Sequence, residues 1–334
     1  MMGPHPAVAE VRRAVRQALA QVDGTVLVAC SGGADSLALA AATAFEAPRA
    51  GVAAGMITVD HQLQSTSAAQ AARVASIGYE LGFDPVETVA VTVGTRGGPE
   101  AAARASRYAA LQATAVAHEA HVLLGHTLDD QAETVLLGLG RGSGPRSISG
   151  MRAADGHWLR PFLGLRRSVT QAACAALGLQ PWEDPHNADP SYQRVRLRRE
   201  VLPLLEEVLQ GGVVPALGRT AELLRDDLDA LEELVGAAAP SPPRALPAGQ
   251  RALSIDVAEL AAAPRAVRSR MLRAWAHVNG AEPLSAAHTA ALDALVTNWH
   301  GQGPLDLPGG LRAIRASGRL ELTPIHQRAP GVVE

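Results

Sequence analysis

The 334-residue chain contains no lysine, and all 30 of its basic residues are arginine. A Walker-type phosphate loop needs its lysine, a pyridoxal enzyme needs a Schiff-base lysine, and a protein kinase needs one on its third strand. All three are excluded; GC-rich codon usage accounts for the bias without weakening the exclusion. Only two cysteines are present, Cys30 and Cys174, far apart and without CxxC spacing. A disulfide framework, a zinc site and an iron–sulfur cluster are therefore unsupported. Aromatic residues make up 3%, so base stacking is scarce: Trp158, Trp182 and Tyr192 are the few candidates near the motifs below, each better suited to packing. No apolar run reaches the roughly 18 residues of a membrane span, and MMGPHPAVAEVRRAV lacks the apolar core of a signal peptide. The expected location is the cytoplasm, with no membrane partner.

Hydrophobic residues make up 47% and charged residues 19%, enough for packed interiors, and the length suits two modest domains. Net charge is −3, yet between residues 141 and 199 ten arginines stand against four carboxylates. A focused arginine patch on a mildly acidic chain suits a polyanion held at one place.

Four apolar runs, at 25–30, 52–60, 85–93 and 121–125, alternate with helical patterns at 35–46, 66–82, 99–118 and 129–139. Strands without polar alternation, separated by helices, predict a doubly wound parallel α/β sheet with ligands beyond the carboxyl ends of its strands. Helices follow at 166–178, 193–210 and 216–236, then a Pro- and Ala-rich linker at 236–250. Beyond it a short strand (251–256), two helices (265–279 and 285–298) and a terminal β region predict a smaller α+β domain. The expected division is 1–212 and 213–334.

The first strand runs straight into Ser31-Gly32-Gly33-Ala34-Asp35-Ser36, and a helix follows at once. Two glycines let backbone approach an anion, while the N–H groups and dipole of the helix start supply positive potential. Ser31 and Ser36 can add hydroxyl donors. Asp35 would repel phosphates unless a cation lay between, so it reads as a Mg²⁺ ligand on ATP or as a helix N-cap. After the fourth strand comes GHTLDDQAETVLLGLGRGSG. A helix starting near Asp129 would put Asp130 and Glu133 on one face, with His126 beside them. Dipole capping explains one or two of these acids, not the histidine or the Gly/Arg loop around Arg141.

SGGxDS after a buried strand resembles the PP-loop of ATP pyrophosphatases, and GHxxDDQAETxLLxLxRGSG closely resembles the signature of the tRNA(Ile)-lysidine synthetase family, with Thr127 where that family usually has a second histidine. Arg104, Arg107 and Tyr108 resemble its ARxxRY element; the two arginines share a helix face and would meet phosphate or base, or form a solvated edge. Asp60 and His61 resemble its VDHxLR segment near the nucleotide, with Gln64 replacing the arginine. Residues 184–205 resemble DxSNxD…RNxIRxxLLPxL, with His186 and Val195 departing. There Asn187 would contact substrate, and Arg194 and Arg198 would reach RNA phosphates or lie solvated.

The resemblance implies a two-step reaction. The C2 oxygen of the wobble cytidine in a CAU-anticodon tRNA(Ile) attacks the α-phosphate of ATP, and the ε-amine of free L-lysine then displaces AMP. It implies ATP at residues 31–36, Mg²⁺ on Asp35 and Asp130, lysine on Asp130 and Glu133, His126 near phosphate or base, and an arginine such as Arg107 neutralising charge. The C-terminal part resembles the first C-terminal domain of that family, serving tRNA. Oligomeric state is not legible in the sequence, a homodimer being one option. Two rivals are a tRNA thiolase, which would need a cysteine pair or cluster, and a non-catalytic ATP- or RNA-binding protein, against which the His126/Asp130/Glu133 grouping counts.

Overall fold

The computed structural model describes residues 3–62, 66–94, 98–142, 144–184, 189–238 and 254–325. The chain divides into two compact units, Met1–Leu224 and Arg225–Glu334. The first contains, in order, α1 (Pro6–Leu19), β1 (Thr25–Ala29), α2 (Ala34–Ala50), β2 (Ala53–Asp60), α3 (Ser67–Glu80), β3 (Val86–Ala90), α4 (Pro99–Ala117), β4 (Ala120–Leu124) and α5 (Leu128–Gly140). Next come α6 (Pro145–Ile148), β5 (Ala154–Asp155), β6 (Trp158–Leu159), α7 (Arg167–Ala176), α8 (Gln193–Arg196), a π-helical turn (Leu197–Val201) and α9 (Leu202–Val208). The helix α10 (Val213–Ala238) starts where the sequence suggested a boundary, and its first turns belong to the first unit.

The sheet order is β3-β2-β1-β4-β6-β5, parallel except for β5. Its apolar strands are covered on both faces, as their lack of polar alternation requires. Val26 and Val28 of β1 pack with Val11 and Val15 of α1, Leu37 of α2, and Ala173 and Cys174 of α7. Leu27, between them in sequence and so on the opposite face, joins Ile57, Val122 and Leu124 under Leu111 and Ala115 of α4. Helix α1 is absent from the sequence-based elements. Its arginines mask a stripe of Val8, Val11, Val15 and Leu19, all buried, and Pro6 opens it behind a His5 cap.

The chain moves outward from β1 to β2 and β3, then returns to place β4 on the other side of β1. The carboxyl ends of β1 and β4 thus flank a topological switch point, where ligands of doubly wound sheets bind. The continuous helix expected over 193–210 is instead interrupted by the π turn, which ends two residues before Pro203, a residue with no N–H for the helical ladder.

The second unit contains β7 (Ser254–Asp256), α11 (Val257–Ala262), α12 (Arg265–Val278), α13 (Ala286–Thr297), β8 (Leu305–Leu307), β9 (Leu311–Ala316) and β10 (Arg319–Pro324). Its sheet is antiparallel in the order β7-β10-β9-β8. Leu272, Trp275, Leu292, Leu320 and Leu322 form its core.

Phe162 is fully buried in the first unit's core. Phe162→Ala should cost about 3–5 kcal/mol, read as a lower urea midpoint for that unit, whereas a midpoint within error of the parent chain would show that this core does not limit stability.

Candidate active site

Gly33 caps α2 without any side-chain hydrogen bond, so the first-turn N–H groups of a 17-residue helix have no carbonyl partner within the helix. Gly32 has φ +85°, a conformation that favours glycine, and a Cβ there would also press on Gln70 Nε2 at 2.6 Å and Val74 Cγ2 at 2.9 Å. The Ser36 hydroxyl accepts the Ser31 N–H at 3.2 Å and donates to the Gly33 carbonyl at 2.9 Å. That hydroxyl closes the loop on itself, while Ser31 is exposed and the Asp35 side chain is partly so. At the end of β4, a Cβ on Gly125 would come within 3.1 Å of the Asp35 carbonyl and 3.2 Å of the Ser36 nitrogen. The exit of β4 therefore packs directly on the first turn of α2, and α5 starts beside the phosphate loop.

Helix α5 opens with a capping box. Thr127 N–H and its hydroxyl both donate to Asp130 Oδ2, each at 2.8 Å, while the hydroxyl also accepts the Asp130 N–H. Asp129 turns away, accepting the Arg167 N–H at 2.8 Å and pairing with Arg166 at 3.2 Å. It caps the start of α7. The Arg167 side chain then reaches back to three carboxylates: Asp130 at 2.6 Å, Asp35 at 3.3 Å and Glu133 at 3.6 Å. Thr170, one turn along α7, donates to Asp35. Arg198 makes a two-point contact with Glu133, at 2.8 and 3.2 Å, and lies 3.6 Å from Asp130. Glu133 has no exposed side-chain surface.

Burial pushes the Asp35 carboxyl above the usual carboxylate range, against the Thr170 hydrogen bond and Arg167. Burial works the same way on Asp130, but Arg167, the Thr127 N–H and His126 outweigh it and hold that carboxyl low. Asp130 is thus an anion at neutral pH. His126 is pushed down to about 3 by burial, an effect that Asp130 opposes and Arg107, Arg160 and Arg104 reinforce. His61 is lowered by burial and then by Arg107. Both imidazoles are neutral at pH 7, and each has a buried Nδ1 without a partner among the described residues.

Arg107 is half-buried, but its Nε is shut off from solvent and, among the described residues, has no partner. Burial and the neighbouring Arg104 and Arg194 lower its pKa, while Tyr108 raises it. Arg104 donates to the Tyr108 hydroxyl at 3.3 Å, and its guanidinium lies 4.7 Å from that ring's centre. Tyr108 packs on Trp158 at 5.1 Å. The site therefore has an acidic half, already bridged by arginine, and a cationic half with unpartnered donors, joined at His126.

The chain matches known proteins along nearly its whole length. A PP-loop domain model matches residues 7–205 and a TilS substrate binding domain model matches residues 255–321. A tRNA(Ile)-lysidine synthase of Thermobifida fusca is 55% identical over 96% of this chain and 98% of its own length. One of Streptomyces coelicolor is 52% identical over 96% and 99%. The chain belongs to the tRNA(Ile)-lysidine synthase family. Among solved structures, a U34-tRNA thiolase of Methanococcus maripaludis shares the fold, with TM-score 0.55 and 18% identity over 66% of this chain and 80% of the thiolase.

In this lysidine synthase family member, Asp35, Asp130, Glu133 and His126 come together as the sequence suggested, with Asp60, His61, Arg104 and Arg107 on the cationic side. Asp60 accepts the Gln62 N–H at 2.9 Å, and its charge acts on His61. Arg141 caps the far end of α5, exposed, about 16 Å along the helix from Asp130, and so stands apart. Arg198 points inward to Glu133 rather than outward, because the buried carboxylate needs a cation. Asn187 lies outside the described residues, as do Gln64 and His186. Sequence reasoning missed Arg167 and Thr170, counting Arg167 only within the arginine patch. Their signal is two consecutive arginines opening a helix, a position where the dipole disfavours cations unless acids face it.

Arg167 now lies between Asp35 and Asp130, the two residues expected to bind Mg²⁺. Among the described residues no group of three or more His, Cys, Asp or Glu could hold a metal. Two carboxylates suffice for Mg²⁺ only when phosphate and water oxygens complete the shell, its usual mode on ATP.

Replacing Arg167 by Gln should move the Asp130 carboxyl upward, followed by carbon-13 NMR titration; an unmoved signal would remove Arg167 from that role. Unfolded histidine protonates near pH 6.5, whereas His126 resists until about 3, so between those values unfolding takes up a proton and stability falls as pH falls. His126→Asn should flatten that part of the stability curve, and an unchanged slope would place the uptake elsewhere.

Proposed function

We propose that this chain attaches L-lysine to C2 of the wobble cytidine of a CAU-anticodon tRNA(Ile), using ATP, as a carbon–nitrogen ligase. The observation that carries the reading is the single guanidinium of Arg167 touching both the phosphate-loop carboxylate and the α5 carboxylates. Phosphate chemistry and amine chemistry lie within one side chain's span, as they must if one base is first activated and then aminated in place.

In the first step the base O2 attacks the α-phosphorus, a P–O bond forms, the bond to the β-phosphate oxygen breaks, and diphosphate departs. The N–H groups opening α2 receive the departing charge. Arg107 and Arg104 supply further positive potential to phosphate or base. Mg²⁺ held by Asp35 and Asp130, once Arg167 yields, would neutralise the phosphates and polarise them. In the second step the lysine ε-amine attacks C2, the C–O bond to the adenylyl group breaks, and AMP leaves with its electron pair. Asp130 and Glu133 hold the amine as it enters and accept its proton; neutral His126 positions the base or phosphate by hydrogen bonding. A looped-out base is the usual target for such chemistry on RNA. Asn187, Arg141 and Arg194, with residues 213–334, would contact the tRNA, and the cytoplasm would supply it together with ATP and lysine.

Sulfur transfer fits the cysteines poorly. Cys30 and Cys174 both line the core beneath the phosphate loop, and Cys174 donates to the Ala34 carbonyl at 3.2 Å. Burial pushes the Cys174 thiol up to about 11, helped by Asp35 and Cys30. A protonated, buried thiol is a poor nucleophile.

Incubation with ATP, labelled lysine and bacterial tRNA should place label in RNA and release AMP and diphosphate in equal amounts. Label confined to free lysine would refute the reading. Asp35→Ala should abolish AMP formation, whereas Glu133→Gln should still release diphosphate on tRNA addition but transfer no lysine.

A further inference from the structure

We infer that Arg198 is an internal stand-in for the substrate amine, seated on Glu133 until RNA bound at the cationic half draws its helix away. The inference rests on the proposed role of Glu133 in holding lysine. Glu133 has no exposed surface, and a buried carboxylate without a cation is costly. Its two-point partner is Arg198, at 2.8 and 3.2 Å, while Arg167 is no closer than 3.6 Å. The same Arg198 guanidinium lies 3.6 Å from Asp130. It therefore occupies the pair of acids that an incoming ammonium group would need, and the two cations compete for one place.

Three features make this occupant removable. A third of the Arg198 side chain is exposed, so the guanidinium has a way out to solvent. Arg198 sits inside the π turn Leu197–Val201, an insertion frequent at functional sites. Reverting that turn to α-helix would rotate the residues around it by about 100°, the angle of one residue, and swing Arg198 off Glu133. Arg194, one turn earlier on the same short segment, acts electrostatically on Arg107. The arginines of one element thus bear on both halves of the site, and phosphates engaging them would pull on Arg198. Amine entry then waits for RNA, so ATP is spent on a base whose acceptor lysine can follow.

The test is equilibrium dialysis of labelled lysine against the full chain, with and without an unmodified tRNA(Ile) transcript. The parent protein should bind lysine at least about tenfold more tightly with RNA present, and Arg198→Gln should bind it that tightly without RNA, RNA adding little. A variant that binds lysine no better than the parent overturns the inference; one that binds it worse does too, since Arg198 would then be holding the amino acid's carboxylate. Removing the cation from buried Glu133 can unfold the chain, so Arg198→Lys provides a second arm. Lysine at that position keeps a charge but lacks the two-point fork, and should give RNA-free affinity between the other two; affinity equal to the parent's overturns the inference. A parent protein that transfers lysine to RNA yet binds it equally well without RNA loses this inference alone, and one that transfers none loses the proposed reaction as well.

Discussion

Three carboxylates from two different elements, Asp35 on α2 and Asp130 and Glu133 on α5, meet around the guanidinium of Arg167. Largely withdrawn from water, they would repel one another strongly without it, since low dielectric magnifies like-charge repulsion as much as attraction. Arg167 opens α7, where the helix dipole disfavours a cation. Asp129 offsets that by accepting the Arg167 N–H and pairing with Arg166. The start of α5 and the start of α7 therefore hold each other in place, and the phosphate loop is tied to both through Asp35 and Thr170.

Around this bridge the charges are sorted in space. Arginines 104 and 107 lie with His61 on one side, the acids with Arg167 and Arg198 lie on the other, and His126 stands between them. Burial keeps His61 and His126 uncharged, which lets them offer a donor and an acceptor without adding charge to either half. The buried nitrogens of His61, Arg107 and His126 that lack partners among the described residues lie toward the cationic half, where a nucleotide or base carries the acceptors they need. On the acidic side every carboxylate is already paired, so ligands there must exchange with arginine. That asymmetry separates a side ready for anions from a side that has to be opened for cations.

The parallel sheet, the phosphate loop after β1 and the acidic start of α5 were legible because each rests on local pattern: uninterrupted apolar runs, glycines at a strand-to-helix turn, acids at a helix N-terminus. Helix α1 escaped because arginines interrupt its buried stripe. The π turn escaped because a helical periodicity over 193–210 does not reveal one extra residue per turn. Arg167 and the inward course of Arg198 escaped for another reason: their partners lie 37 or more residues away in sequence, and arginine on a helix looks alike whether it faces water or a buried acid.

By itself, then, the order of residues determined which segments become strands and helices, where backbone must be glycine, and which chemical groups gather at strand ends, because those properties depend on neighbours a few positions apart. Tertiary structure alone decided which acid caps a helix and which faces the phosphate loop, which histidines stay neutral, and which arginines are spent on internal pairing. These depend on burial and on distances between elements that only meet once the sheet has folded.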